Sequence, residues 1–360
     1  MGYGEAIKTA IFLFPFIALF FTVPFMLHQY HKYGSIDKWR VVIIYSFILY
    51  LLVIYFLVIL PLPKREDVLN NTNMIRLQPF AFVVDFMKES SFVWNDASTY
   101  LKAMTESCFY VPAFNILMTI PFGIYLRYYF QCSFKKTLLY SFCLSLFFEI
   151  TQVTGLYFIY PKPYRLFDLD DLFLNTLGGV LGYFIAAFFL KVLPSREEID
   201  ERSLKEGKTV SGLRRITLFF LDLFLYTFLG GLTKPFIPIP FYLLIFFILY
   251  YVVYPTLTRG YTLGGKFLHV RVQFPKYTFL RQAVRIVFLF FYYFGLPILF
   301  LYGAGILYYF LSFSVVEALW YWLIVGSFFL GFYFIHFVKL LKKKTLFYDR
   351  WFHVLYESTI

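Results

Sequence analysis

The chain has 360 residues, of which 60% are hydrophobic and 15% charged, with a net charge of +12. Soluble domains average roughly 45–50% apolar and about 25% charged, so this composition excludes an ordinary water-soluble globule. Three cysteines (Cys108, Cys132, Cys143) form no CxxC pair and leave one over, which argues against a disulfide framework or a zinc site.

In chain order, nine apolar stretches are long enough to cross a bilayer, since a spanning helix needs about 20 apolar residues. They are Thr9–Leu27, Val41–Leu62, Phe109–Phe130, Thr137–Tyr160, Leu172–Leu190, Ile216–Leu232, Phe236–Leu257, Ile286–Phe310 and Val315–Val338. The expected fold class is therefore all-α: a polytopic integral membrane protein of about nine transmembrane helices in two bundles. Thr9–Leu27 is long for a signal-peptide core, carries Pro15 and Pro24 and lacks a small-x-small exit, so it reads as a first span. With the N-terminus outside, alternate gaps hold 24 of the 33 Lys and Arg. Basic residues favour cytoplasmic loops, which predicts N-terminus outside, C-terminus cytoplasmic and an odd number of spans. The expected location is a plasma membrane. The expected partners are the lipid bilayer and, at the basic inner face, anionic lipids.

Between the second and third spans, Lys64–Ser107 is a long segment in which Phe80–Phe86 and Tyr100–Met104 mix apolar with polar residues. Part of it could lie flat on the outer leaflet as an amphipathic helix. Residues 194–212 are charged and lack aromatics, reading as a cytoplasmic linker. They separate a transmembrane domain at 1–193 from another at 213–360.

Ionisable groups inside a span cost at least a few kcal/mol and need a reason. Glu149 sits near the middle of the fourth span, with Gln152 one turn on along the same face. Glu149 must be protonated, paired or facing a wet cavity, as either a ligand, cation or proton contact or an interhelical hydrogen bond. Beyond that span come Arg165, Asp168, Asp170 and Asp171, three carboxylates and a cation at the mouth of the fifth. One Asp suffices to cap that helix, so Arg165, Asp168 and Asp171 are candidate binding residues. Asn175, Gly178/Gly179 and Gly182 then share a stripe, and Gly178-xxx-Gly182 is a close-packing signature in lipid. This pattern predicts the fourth and fifth helices pressed together, with Glu149, Gln152 and Asn175 facing each other.

These residues carry a resemblance. Glu149-x-x-Gln152, Arg165-x-x-Asp168-x-x-Asp171 and Asn175-Thr-x-Gly178-Gly179-x-x-Gly182 resemble the VanZ-like family. Leu77-Gln78-Pro79-Phe80, and Asn115 followed by Ile120-Pro121-Phe122-Gly123, are similar to two further segments of that family. Gln78 and Phe114 depart from its usual Asn and Gly. The family takes its name from a protein that lowers susceptibility to a lipoglycopeptide antibiotic, teicoplanin. The resemblance implies a role in the cell envelope or in such resistance, with a cell-wall precursor or glycopeptide as a possible ligand outside.

The second half buries Asp222 two turns after Arg214 and Arg215. It continues with Gly260-Tyr-Thr-Leu-Gly264-Gly265-Lys266, Arg281-Gln-x-x-Arg285 and Lys344-Thr-Leu-Phe-Tyr-Asp349-Arg350. Over about 208–355 this resembles the RDD family, named for an Arg and two Asp. Arg215 (or Arg214), Asp222 and Asp349 match those positions, while Phe352-His353 departs from the family pattern. Transport, including cation/proton exchange, is what that resemblance implies. On the residues alone, Asp222 falls within reach of Arg214, Arg215 or Arg285 if the helices pack, either as an ion-pair clasp or as part of a cation path. Gly260-x4-Gly265-Lys266 only superficially matches a P-loop, because Phe267 replaces the Mg²⁺-binding hydroxyl residue and no strand precedes it. No nucleotide, nucleic acid, metal or other cofactor is expected. The candidate site set is thus Glu149, Gln152, Arg165, Asp168, Asp171, Asn175, Arg215, Asp222 and Asp349. The leading expectation is a non-enzymatic envelope protein, against a secondary transporter of cations or small solutes. An acid–base enzyme on a lipid-linked substrate would additionally require Glu149 close to Asp168 or Asp171.

Overall fold

The computed structural model describes residues 3–69, 75–237, 239–274, 279–311, 313–342 and 346–360. Lys344 and Thr345 of the tail motif, and three of the basic residues counted above (Lys276, Lys343, Lys344), lie outside the described residues. The chain divides into two compact units: residues 1–21 with 38–199, and residues 22–37 with 200–360.

The first unit contains the start of α1 (Tyr3–Tyr33), then α2 (Lys38–Ile59), α3 (Arg65–Leu69), β1 (Ile75–Arg76), α4 (Ala81–Glu89), α5 (Tyr100–Met104), α6 (Ser107–Tyr128), α7 (Phe134–Val153), α8 (Gly155–Phe158), β2 (Phe167–Asp168), α9 (Leu169–Val192) and the beginning of α10 (Arg196–Gly207). Its frame is α6 against α9, with α7 packed on α9. The contact is close because it is made of glycines. A Cβ on Gly182 would lie 2.0 Å from Ile120 O, one on Gly178 would lie 2.2 Å from Ile116 O, and one on Gly123 would lie 1.9 Å from Gly179 O. The Gly178/Gly182 face therefore meets α6, the third span. Only Gly179 turns towards the fourth, where its Cβ would lie 2.0 Å from Ser141 Oγ. Satellite cores flank this frame: Ile43, Tyr128, Tyr129 and Ile199 at one place, Ile59, Val68, Leu156 and Tyr164 at another.

The second unit holds the end of α1, the rest of α10, α11 (Gly212–Thr233), α12 (Tyr242–Ile248), α13 (Tyr254–Leu257), α14 (Leu263–Phe267), β3 (Val270–Gln273), α15 (Phe279–Phe290), α16 (Leu296–Leu311), α17 (Val315–Leu341), α18 (Phe347–Trp351) and β4 (Leu355–Ser358). Wide π-type turns join α12 to α13 (Leu249–Val253) and α15 to α16 (Phe291–Gly295). Each lies just before a proline, Pro255 or Pro297, whose missing N–H interrupts the regular helical ladder. β3 and β4 pair antiparallel, Val270 opposite Ser358. Tyr30, Leu218, Leu268 and Val270 form the core.

Among the described residues, seven helices are long and apolar enough to cross a membrane: Gly4–Tyr33, Lys38–Ile59, Ser107–Tyr128, Leu169–Val192, Gly212–Phe236, Phe279–Leu311 and Val315–Leu341. All nine expected stretches contain helix, but two fall short of those seven. In Phe236–Leu257 the second helix begins at Tyr242, leaving 16 apolar helical residues, Tyr242–Leu257. Thr137–Tyr160 ends as a regular helix at Val153, where Gly155, Leu156, Tyr157 and Phe158 all take positive φ and reverse the chain. Such a run is costly for L-residues and is held by its neighbours, including Tyr157 N–H to Thr154 Oγ1. The low hydropathy of α7 has a structural origin. Thr137, Ser141, Ser145, Glu149 and Gln152 form one stripe at three- and four-residue spacing, and all five are buried inside the unit. The expected linker is largely the helix α10, and it is not free. Ile199 and Ser203 are buried, and Ser35 Oγ donates to Ser203 O within the second unit.

Candidate functional site

Asp168 is the pivot of the first unit's polar cluster. It is the N-cap of α9: its extended backbone (φ −119°) leaves the helix open, and its Oδ1 accepts from Asp170 N at 3.0 Å. Its Oδ2 accepts from the Arg76 guanidinium, with Nε at 3.0 Å, and Arg76 Nη1 also donates to Asp85 Oδ2 at 2.7 Å. The parallel pairing of β1 with β2 sets this up, because Arg76 lies in register with Asp168. The two carboxylates hold the Arg76 guanidinium above its ordinary pKa, with the Asp168 hydrogen bond the largest cause. Backbone N–H of Asp168 donates to Glu149 Oε2 at 3.1 Å, so the buried Glu149 lies against the same turn.

The neighbouring aspartates have separate duties. Asp170 reaches across to α4, accepting from Phe80 N at 2.7 Å and Phe82 N at 2.9 Å, and so satisfies donors at that helix's N-terminus. Asp171 accepts from Asn115 Nδ2 of α6 at 2.6 Å. Asn175 donates to Ser145 Oγ at 3.1 Å, and that hydroxyl donates to Asp171 O, so α7 and α9 are bonded just below the cluster. Asn175 Oδ1 is buried without a partner. The cluster thus gathers Glu149, Asp168, Asp170 and Asp171 at the N-terminal end of α9, where the helix dipole favours negative charge, with the Arg76 guanidinium shared between Asp168 and Asp85.

Two residues expected in this cluster face elsewhere. Arg165 gives its guanidinium to the carbonyl end of α2, with Nη1 to Val58 O at 2.6 Å and Nη2 to Leu60 O at 3.1 Å. Gln152 donates to the same Val58 O at 3.0 Å rather than meeting Asn175. Both satisfy carbonyls that a helix C-terminus leaves open. The cation on the aspartates is Arg76, and the sequence reading misses it, although it directly precedes the Leu77-Gln78-Pro79-Phe80 motif. Asn115 belongs to the Asn115…Ile120-Pro121-Phe122-Gly123 segment, and its bond to Asp171, 56 residues away, has no local signal. Replacing Arg76 by Gln removes the cation shared by Asp85 and Asp168. We expect amide exchange across 77–89 to quicken roughly tenfold, as for the loss of about 1.4 kcal/mol of charge-assisted hydrogen bonding, with exchange in α6 unchanged. Unchanged exchange in 77–89 would show that Asp170 alone fixes α4.

The second unit brings Arg215 and Asp349 together, Nη2 to Oδ2 at 2.6 Å, with the guanidinium 3.8 Å over the Tyr356 ring. Arg285 donates to the Tyr356 hydroxyl at 2.7 Å. Asp222 is apart from them. Contrary to the expected ion-pair reach, among the described residues it accepts from neutral donors only: Tyr250 OH (2.8 Å), Thr262 Oγ1 (2.6 Å) and Gly264 N (2.9 Å). The glycine-rich segment therefore closes on Asp222. Thr262 caps α14, and a Cβ on Gly264 would lie 2.7 Å from Asp222 Oδ1, so only glycine lets the backbone approach. Arg214, the other candidate arginine, is wholly buried and bonded to carbonyls and one hydroxyl.

A helical chain with seven membrane-length apolar helices is a polytopic α-helical membrane protein. A family model described as VanZ/LLP1 matches residues 47–190, from within α2 nearly to the end of α9. That stretch encloses Arg76, Asn115, Glu149 and the three aspartates. No curated protein and no solved structure matches the chain.

Proposed function

We propose that the first unit is a VanZ-type ligand-binding module of the bacterial cell envelope, with its carboxylate cluster on the outer face. There it binds, or alters access to, a lipoglycopeptide or the cell-wall precursor such a drug targets, without catalysing a reaction. The observation that carries this reading is the meeting of Arg76, Glu149 and Asp168 at the start of α9, inside the stretch that matches the family. Four carboxyl groups at one helix N-terminus, with a single guanidinium bonded to one of them, suit a ligand bearing ammonium or hydroxyl groups. Fixed hydrogen bonds to Asp168, Asp170 and Asp171 favour holding a ligand over shuttling protons, and Glu149 meets Asp168 through its backbone N–H. For the second unit we propose an RDD-like module, supported by the pairing of Arg215 with Asp349 from opposite ends of that half.

The test is teicoplanin susceptibility in a bacterial strain lacking the gene and complemented with variants. Asp171→Asn and Glu149→Gln are expected to lose at least about tenfold in protection, as for one charge-assisted contact of about 1.4 kcal/mol. Asp349→Asn is expected to retain it. Unchanged drug response, with altered growth under sodium or pH stress, would instead favour a transporter.

A further inference from the structure

The helix α4 is committed on one side and bare on the other. Its inner side is spoken for: Ala81 is buried, Asp85 pairs with Arg76, and the Phe86 ring packs 6.0 Å from Phe109 at the start of α6. Its N-terminus is held by Asp170. The remaining face is Val83, Val84 and Met87 at helical spacing, with Phe80, the N-cap residue in left-handed backbone conformation, at its head. All four are exposed, Phe80 by 62% and Met87 by 79%. A four-residue apolar stripe held out by a salt bridge and two backbone hydrogen bonds is not a frayed core.

What covers it follows from its neighbour. The Phe80 ring stacks on Phe173, centroids 6.3 Å apart and planes 13° from parallel. Phe173 opens an exposed apolar row on α9 that continues through Leu177, Leu181 and Phe184. That helix is long and apolar enough to cross a membrane, and its exposed row is the side lipid would cover. The α4 stripe prolongs this row at the end of α9 where Asp170 and Asp171 begin, the level at which chain passes from hydrocarbon to headgroup. Lys88 and Glu89 follow at its polar margin.

We infer that α4 is a bilayer-interface helix whose Phe80–Val83–Val84–Met87 face seats in the acyl–headgroup boundary and holds the carboxylate cluster at headgroup depth. The occupant is lipid, because the stripe is uncharged and runs on without a break from a membrane-facing row. The inference stands whether or not the cluster binds a glycopeptide. One consequence is that the cluster is reached from the membrane surface, so an amphiphile would find it by lateral diffusion.

The test uses the full chain in liposomes of phosphatidylcholine with a minority of phosphatidylglycerol. Cys108, Cys132 and Cys143 are changed to Ser, and a single cysteine, Met87→Cys or Lys88→Cys, carries an NBD fluorophore. The two residues are adjacent and both exposed in the structure. At position 87 the emission should shift to the blue. A nitroxide near the glycerol end of a lipid chain should quench it at least about threefold more than at position 88, as expected for a helix lying in the interface. At position 88, iodide in the water should quench instead. Equal iodide quenching at both positions would overturn the proposal. So would a blue shift at 87 that is insensitive to the lipid nitroxide, or that disappears when the protein is diluted into excess lipid, because protein would then cover the stripe. None of these readouts depends on drug protection.

Discussion

Gly182→Leu is expected to unfold the first unit far more readily than any exchange of an apolar residue on its lipid-facing side. The reason is the absence of slack. The first side-chain carbon would lie 2.0 Å from Ile120 O and 3.1 Å from the Cα of Gly123, so the atoms that must yield are backbone of another helix. Overpacking a close interface costs about 1–3 kcal/mol and sometimes more, and here no rotamer relieves it. We expect the upper end, about 3 kcal/mol, which lowers the folded-to-unfolded ratio by roughly a hundredfold. Gly303→Leu in α16 is the control, because a Cβ there meets nothing within 4 Å. Denaturant titration of detergent-solubilised protein, followed by protease cutting within each half, reads both. If Gly182→Leu resists as well as Gly303→Leu, α6 and α9 do not depend on backbone contact. The consequence for the site is direct, since α9 carries Asp168 and Asp171 at its start and α6 carries Asn115.

Much of this frame can be read from the chain because each helix is written locally. Apolar length marks the spans, and a glycine repeat marks a face built for close approach. The repeat does not say which helix comes close. Gly178 and Gly182 meet α6, and Gly179 alone meets α7, a division that rests on three-dimensional packing. Likewise Asp168 and Asp171 stand out beside the fifth span, but their cation does not. Arg165 is three residues from Asp168, and the short spacing points to it. The structure gives that place to Arg76 through a two-residue parallel ladder, a long-range pairing with no local signal beyond the adjacent Leu77-Gln78-Pro79-Phe80 motif. Asp222 misleads in the opposite way. Its nearness in sequence to Arg214 and Arg215 suggests ion pairing, while the helix turns it towards Thr262 and Gly264.

Arg214→Ala should be the most damaging single change in the second unit, and Arg215→Ala should not match it. Arg214 is 0% exposed, yet its hydrogen-bond partners among the described residues are all uncharged. Nε and Nη2 donate to Leu268 O, Nη2 also to His269 O, and Nη1 to Gly207 O and Ser358 Oγ. One fork therefore ties the end of α10, the turn between α14 and β3, and strand β4. Truncation removes both donors on Leu268 O, at about 1–3 kcal/mol, weakens the bonding of Gly207 O and His269 O, which keep Ser358 Oγ and Thr359 N, and adds a cavity, so a loss on the order of 4 kcal/mol is expected. That is nearly a thousandfold in the folding equilibrium. Lysine restores a charge but not the planar fork, so Arg214→Lys should recover only part of the loss. Arg215 differs in kind. Its partner is the carboxylate of Asp349, whose Oδ1 is buried without a hydrogen bond, an arrangement less complete than the one around Arg214. The pair of adjacent arginines thus divides into one that holds the unit together and one that pairs with the carboxylate of Asp349. Melting temperatures of Arg214→Ala, Arg214→Lys and Arg215→Ala in detergent decide this. Equal melting of the Arg214→Ala and Arg215→Ala proteins would assign both arginines the same structural duty and remove the reason for singling out Arg215.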